Sequence, residues 1–370
     1  VSPAKIYRAP GRVNLIGEHT DYNEGFVMPA AMAYEIRVAV TPRSDRRVTV
    51  VSDGFPGTRE FHLDGLEPGV RHDWSDYVRG MLIELQRDGA PLRGADLRVT
   101  SNLPVGAGLS SSAAIAVGVG FAMLDASGLT VDRVKLALAA QRAENRHAGI
   151  NSGIMDQFIS ANARAGHAIL LDTRTLSFDF LPLPTAATFV VCNTMVKHAN
   201  ATGGYNERHA ECAAGVAALA QRYPGVRALR DATLEQLEAA RDAMSEIVFR
   251  RCRHVITEDA RVIDAGKALN DSDFGGFGRL MTASHASMRD DFAISAPEVD
   301  TMVELAVAFG SSVYGARMTG GGFGGSTVNL VAAEDVDAFV RYIVPAYRAA
   351  TSIEPLVYLG VGAPGAGPVA

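Results

Sequence analysis

From Ala113 to Leu124 the chain carries no charged side chain and no hydroxyl or amide; only aliphatic residues, Phe121, Met123 and the glycines Gly118 and Gly120 occur. A membrane-spanning helix needs about 18 or more apolar residues in succession. This run is shorter and is interrupted by glycine, so it reads as a helix buried in a globular core rather than as a span. At 370 residues the chain exceeds one typical core, which predicts two domains and therefore a cleft. A hydrophobic share of 48% against 21% charged residues is that of an ordinary folded protein. The formal charge of −6 comes with Lys and Arg scattered along the chain, which speaks against nucleic acid or an acidic membrane as partner and for a small molecule. The three cysteines, Cys192, Cys212 and Cys252, are odd in number and far apart, unlike a disulfide framework or a zinc site, so a reducing cytoplasm is expected. Val1 to Arg8 lacks the charged and apolar segments of a secretory signal.

Short β-branched runs at Ile36–Thr41, Arg47–Val51, Leu97–Ser101, Phe189–Asn193 and Thr327–Val331 read as strands. Helical periodicity lies between them. Tyr77, Val78, Met81, Leu82 and Leu85 form one apolar face behind Asp73 or Ser75 as cap, and a helix from Val131 to His147 is expected behind Thr130. Further helices are expected over Glu207–Arg222, Glu235–Lys267 in one or two pieces, and Glu298–Phe309. Strands and helices mix without strict alternation, which predicts an α+β protein rather than a doubly wound parallel sheet. Pro182–Pro184 marks the expected boundary, giving domains 1–182 and 183–370, and the Gly, Pro and Ala of Gly360–Ala370 are expected to fray.

Four segments could carry chemistry. Asn102 to Ala114 sets Gly106 and Gly108 before Ser110, Ser111 and Ser112 and then enters the apolar run, a loop whose backbone N–H groups and hydroxyls could hold phosphate oxygens. No Gly-Lys-Ser/Thr follows, so a plain capped helix fits the same residues. Ala9 to Gly25 gathers Arg12, Glu18, His19 and Asp21 among Val13, Leu15 and Ile16. Carboxylates, an imidazole and a guanidinium suit a polyol and a phosphate; a solvated turn with local ion pairs is the plainer reading, and a metal site is short of ligands. Asp156, flanked by Ile154, Met155, Phe158 and Ile159, is either a partly buried proton acceptor or a helix cap. Glu144 is either a Mg²⁺ ligand or a surface charge. Gly320 to Gly325, all glycine except Phe323, is either a bulged turn or a second glycine wall closing on a ligand or on the first loop.

Taken in chain order, these motifs resemble the three signatures of the GHMP kinase family, and the first of them, Ala9 to Gly25, resembles that of its galactokinase branch. Tyr205–Cys212, Arg253–Glu258 and Ser284–Phe292 also look galactokinase-like, so the resemblance spans nearly the whole chain. It implies a ribosomal-protein-S5-like N-terminal domain and a ferredoxin-like C-terminal domain with the active site between them. The implied activity is ATP-dependent phosphorylation of the C1 hydroxyl of galactose, the first committed step of galactose catabolism, by a cytoplasmic monomer that binds galactose and ATP and neither nucleic acid nor membrane. Carried over by position, Asp156 and Arg12 are the implied catalytic pair. Glu18, His19, Asp21, Gly153 and Tyr205 are the implied sugar contacts. Gly106, Ala107, Gly108, Leu109, Ser110, Ser111 and Ser112 form the implied ATP loop, and Ser112 with Glu144 would hold Mg²⁺. Ser152, Ser326, Ala296 and Gly204 depart from the family's commonest pattern. Kinases acting on N-acetylgalactosamine or L-arabinose, and a galactose-sensing regulator, are the alternatives.

Overall fold

The computed structural model describes residues 4–68, 71, 73–104, 108–197 and 201–369. In the first half, strands β1 (Lys5–Asn14), β2 (Phe26–Val27), β3 (Pro29–Pro42), β4 (Arg47–Ser52) and β5 (Phe55–His62) lead into helix α1 (Ser75–Arg87). Strand β6 (Ala95–Ser101), helices α2 (Ser111–Ala126), α3 (Arg133–Ala143) and α4 (Met155–Asn162), and strands β7 (His167–Asp172) and β8 (Phe178–Pro182) follow. With one C-terminal strand described below, these eight strands build a nine-stranded sheet whose main path runs from β1 through β3, β6 and β4 to β5, with β7 joining β2, β3 and β8. Its described pairings are antiparallel except β4 with β6, the signature of α+β rather than α/β construction. In β3 the alternation is plain: Ile36, Val38 and Val40 are buried while Arg37 faces water.

Helix α2 packs against β1, β3, α1, α3 and α4. Every residue from Ala113 to Leu124 is buried, which accounts for the absence of a polar face. Among the described residues no helix is long and apolar enough to cross a membrane.

The cap of one helix differs from expectation, while two other helices settle alternatives that the sequence left open. Helix α3 is capped by Asp132, whose carboxylate accepts from the Val134 and Lys135 N–H groups, and not by Thr130; the chain is still extended at Asp132. It continues as a π turn over Glu144–Ala148, so the helical stretch ends where the periodicity placed it. At α1 the acceptor is Asp73, which takes the Ser75 N–H at 2.8 Å. The predicted long helix falls into two pieces, introduced below as α6 and α7. Gly360–Val369 does not fray: Ala366 is fully buried, and the Val369 N–H donates to Ile6 at 2.8 Å.

The second half opens with β9 (Ala187–Lys197), continues through α5 (Ala201–Arg222), α6 (Leu234–Ala239), α7 (Glu246–Asn270), α8 (Phe274–Asp290) and α9 (Pro297–Ala308), and returns as the hairpin β10 (Val313–Thr319) and β11 (Gly324–Ala332). Helix α10 (Val336–Thr351) leads to β12 (Leu356–Tyr358). The sheet order is β10-β11-β9-β12, each neighbour antiparallel. Strand, helices, hairpin, helix, strand in this order is the ferredoxin-like connection. A last strand, β13 (Gly367–Pro368), crosses back to pair with β1, so the C-terminal tail belongs to the first sheet. One core cluster joins both sheets, with Phe189, Val191 and Val328 from the second beside Ile169 and Leu181 from the first.

Candidate active site

Strand β1 delivers Arg12 to the floor of the cleft. Its strand register shifts between Pro10 and Arg12, and its N–H turns to the Leu109 carbonyl at 3.1 Å, tying the strand to the segment that leads into α2. Arg12 is 6% exposed. It donates Nε–H and Nη2–H to the two oxygens of Asp156, each at 2.7 Å, and Nη1–H to the Gly108 carbonyl at 2.6 Å. Such a two-pronged pair is fixed in orientation as well as in place. The Ser110 hydroxyl also donates to Asp156. Asp156 lies in the first turn of α4 and makes no capping bond there, so its role is not that of a cap. Its side chain is 26% exposed, open to the cleft.

After β1 the chain turns through Gly17–Asp21, a buried turn and not a solvated one. Glu18 is 2% exposed and accepts from the Gly320 N–H at 2.6 Å and from Asn14. Burial pushes its pKa up, against the pull of Arg317. The His19 ring meets the Tyr22 hydroxyl at 2.7 Å and the Gly321 carbonyl at 3.3 Å, and it packs between Tyr205 and Phe292. Burial, with His254 beside it, lowers its pKa to about 3, so the ring is neutral. Asp21 is pushed up to about 6, first by burial and then by the charge of Asp156. Gly153 presses against it: a Cβ there would lie 1.9 Å from an Asp21 oxygen, so only glycine fits.

The π turn points Glu144 into the same cleft. Its carboxylate, 5% exposed, accepts from Ser152 at 2.8 Å and Gln157 at 2.5 Å and has the Ser112 hydroxyl as a further donor. Burial raises its pKa because the protein supplies hydroxyls and an amide there rather than a cation. A buried carboxylate facing a hydroxyl at the start of a helix has the donors that Mg²⁺ uses when phosphates and water complete its shell. Among the described residues no three His, Cys, Asp or Glu gather as a self-sufficient metal site.

Arg12, Glu18, His19, Asp21, Ser112, Glu144, Gly153, Asp156 and Tyr205 thus line one cleft of about 230 Å³. Gly108 and Ser110 join it through Arg12 and Asp156, Ser111 is exposed, and the Leu109 side chain is turned into the core. Gly106 and Ala107 lie outside the described residues. Gly320 and Gly321 also line the cleft, as the reading of the glycine-rich stretch as a second wall expected, whereas sequence reasoning gave no site role to Ser152, which lines it too, or to Arg317, which is fully buried behind Glu18. A Cβ on Gly320 would come within 3.5 Å of the Gly108 carbonyl, so the turn closes on the first loop as well as on the cleft. At the unusual Gly204, a Cβ would lie 2.4 Å from the Phe323 ring, so glycine lets the start of α5 approach that turn.

Residues 1–42 match the family description "Galactokinase galactose-binding signature", residues 76–164 the GHMP kinases N terminal domain and residues 266–348 the GHMP kinases C terminal. A galactokinase of Roseiflexus sp. strain RS-1 is 43% identical over 369 residues, which cover 100% of this chain and 94% of the relative. The chain belongs to the galactokinase family. Among solved structures, galactokinase of Lactococcus lactis complexed with galactose superposes with a TM-score of 0.95 at 35% identity, covering 100% of this chain and 96% of that one. The mevalonate kinase of Methanococcus jannaschii, at 16% identity and a TM-score of 0.65 over 97% of this chain and 99% of that one, shares the fold. The α+β GHMP kinase architecture expected from the motifs is therefore the fold of this galactokinase-family chain, which is a sugar kinase.

Proposed function

We propose that the protein transfers the γ-phosphoryl group of ATP to the C1 hydroxyl of α-D-galactose, giving galactose 1-phosphate and ADP. The observation that carries this reading is the Arg12–Asp156 pair. It stands between a polar pocket of Glu18, His19, Asp21 and Tyr205 and the loop end at Gly108–Ser112. An acceptor hydroxyl placed at Asp156 would face phosphates held at that loop.

Phosphoryl transfer depends on alignment and charge neutralisation more than on covalent help from the protein. Arg12, held by Asp156 and Gly108, presents a fixed positive charge where phosphoryl oxygens would lie. Asp156 accepts the proton of the C1 hydroxyl as the new bond forms. The backbone N–H groups at the start of α2 bind phosphate oxygens. Ser112 and Glu144 would hold Mg²⁺, whose chemistry there is to neutralise the charge on the transferring phosphates. Glu18 and Asp21, both acceptors lining the cleft, fix which hydroxyls the sugar must present, since a missing or inverted hydroxyl leaves a buried acceptor unpaired. We assign the protein to the cytoplasm, in keeping with its free, buried cysteines.

ADP release with ATP and magnesium, measured against galactose, N-acetylgalactosamine, L-arabinose, glucose and no sugar, tests the reading. Turnover with galactose and rejection of glucose is the expected result. Preference for another sugar moves the assignment of the pocket around Asp21 and Tyr205; silence with galactose bound points to a sensor.

A further inference from the structure

The segment Arg253–Glu258 lies on α7, outside the cleft, yet its inward side chains end on the sugar turn. Glu258 is fully buried. It accepts from the Gly17 N–H at 3.0 Å, from Ser284 at 2.6 Å and from Arg261 at 2.7 Å, and stands 3.9 Å from Arg317. One turn earlier on the helix, His254 Nε2 lies 3.1 Å from the Glu18 carbonyl and Nδ1 lies 2.8 Å from the Ser287 hydroxyl. A carbonyl only accepts, so Nε2 carries the proton and Nδ1 accepts from Ser287. Arg317, on β10 and also fully buried, donates to the Asn14 carbonyl at 3.2 Å and sits 3.6 Å from the Glu18 carboxylate.

These contacts converge on a backbone that needs holding. Gly17 has φ 97° and His19, which is not glycine, has φ 63°. A non-glycine residue in this region persists only where its surroundings over-determine it. Apolar packing could fill the same volume, but it would leave the Gly17 N–H and the Glu18 carbonyl without partners.

We infer that His254, Glu258 and Arg317 are positioning residues of the sugar pocket, which hold the Gly17–His19 turn in the shape that aims Glu18 and His19 at the substrate. None of the three lines the cleft. Sugar affinity and discrimination are therefore set in part from α7 and β10, behind the binding surface. The inference rests on the reading of the cleft as a sugar site.

The test is Glu258→Gln, which keeps size and an acceptor oxygen but removes the charge facing Arg261 and Arg317, with His254→Gln as a second variant should the first fail to fold. Both are assayed well below their measured melting temperatures. The expected result is a galactose KM raised tenfold or more and a reduced preference for galactose over glucose, with ATP KM and kcat within about threefold of the parent protein. A folded variant whose melting temperature falls while its galactose KM stays within threefold, or one in which both substrates' KM values shift alike, overturns the inference. A parent protein that turns over no galactose overturns the underlying reading instead, so the two failures are distinguishable.

Discussion

Asp21 stands where burial and function pull in opposite directions. In the proposed sugar site this carboxylate would accept bonds from sugar hydroxyls, yet it is held at a pKa of about 6 by burial and by Asp156. The sign follows directly: below about pH 6 the group takes up a proton and its capacity as an acceptor falls. The galactose KM is expected to rise as pH drops from 7.5 to 5, approaching tenfold per unit below 6, while His19, neutral down to about pH 3, adds no step in this range. Steady-state kinetics across that range checks this, and Asp21→Asn should flatten the profile. A galactose KM flat down to pH 5 would remove Asp21 from the sugar contacts. Gly153→Ala tests the same contact sterically. Its Cβ would displace the Asp21 carboxylate, raising galactose KM by at least tenfold with ATP KM little changed.

Among the elements, α3 makes the sharpest prediction, because the position of its cap differs from what the periodicity suggested. Asp132→Ala should cost about 1 kcal/mol in urea or thermal unfolding, while Thr130→Ala should be close to neutral. Equal losses at the two positions would contradict the observed cap. The helices and central strands were legible because buried faces leave a period, as at Tyr77–Leu85 and Ile36–Thr41. Strand β1 was not, because Pro10 and Gly11 interrupt its pattern; the register shift after Pro10 is how the sheet accommodates them. Arg317 was hidden for another reason. A lone arginine in a strand reads as facing water, and only the fold brings Glu18 and Glu258 close enough to make its burial tolerable. The tail strand β13 escaped notice because its Gly-Pro composition lacks strand propensity and its order comes from pairing with β1.

At the scale of the molecule, two sheets share one core, and the cleft draws its residues from separate parts of the chain. Arg12 from β1, Glu144 from the π turn, Asp156 from α4, Tyr205 from α5 and Gly320 from the hairpin turn meet across separations that no local pattern encodes. The motifs showed which residues were chemically suited, and the topology supplied their juxtaposition. The central claim is that this cleft transfers phosphate to a sugar hydroxyl at Asp156. The most direct measurement is the galactose-dependent turnover of Asp156→Asn, taken together with its galactose Kd. Turnover reduced by about 10² to 10⁴, with galactose still bound within a few-fold of the parent affinity, is the predicted result. Near-full turnover in that variant would contradict it.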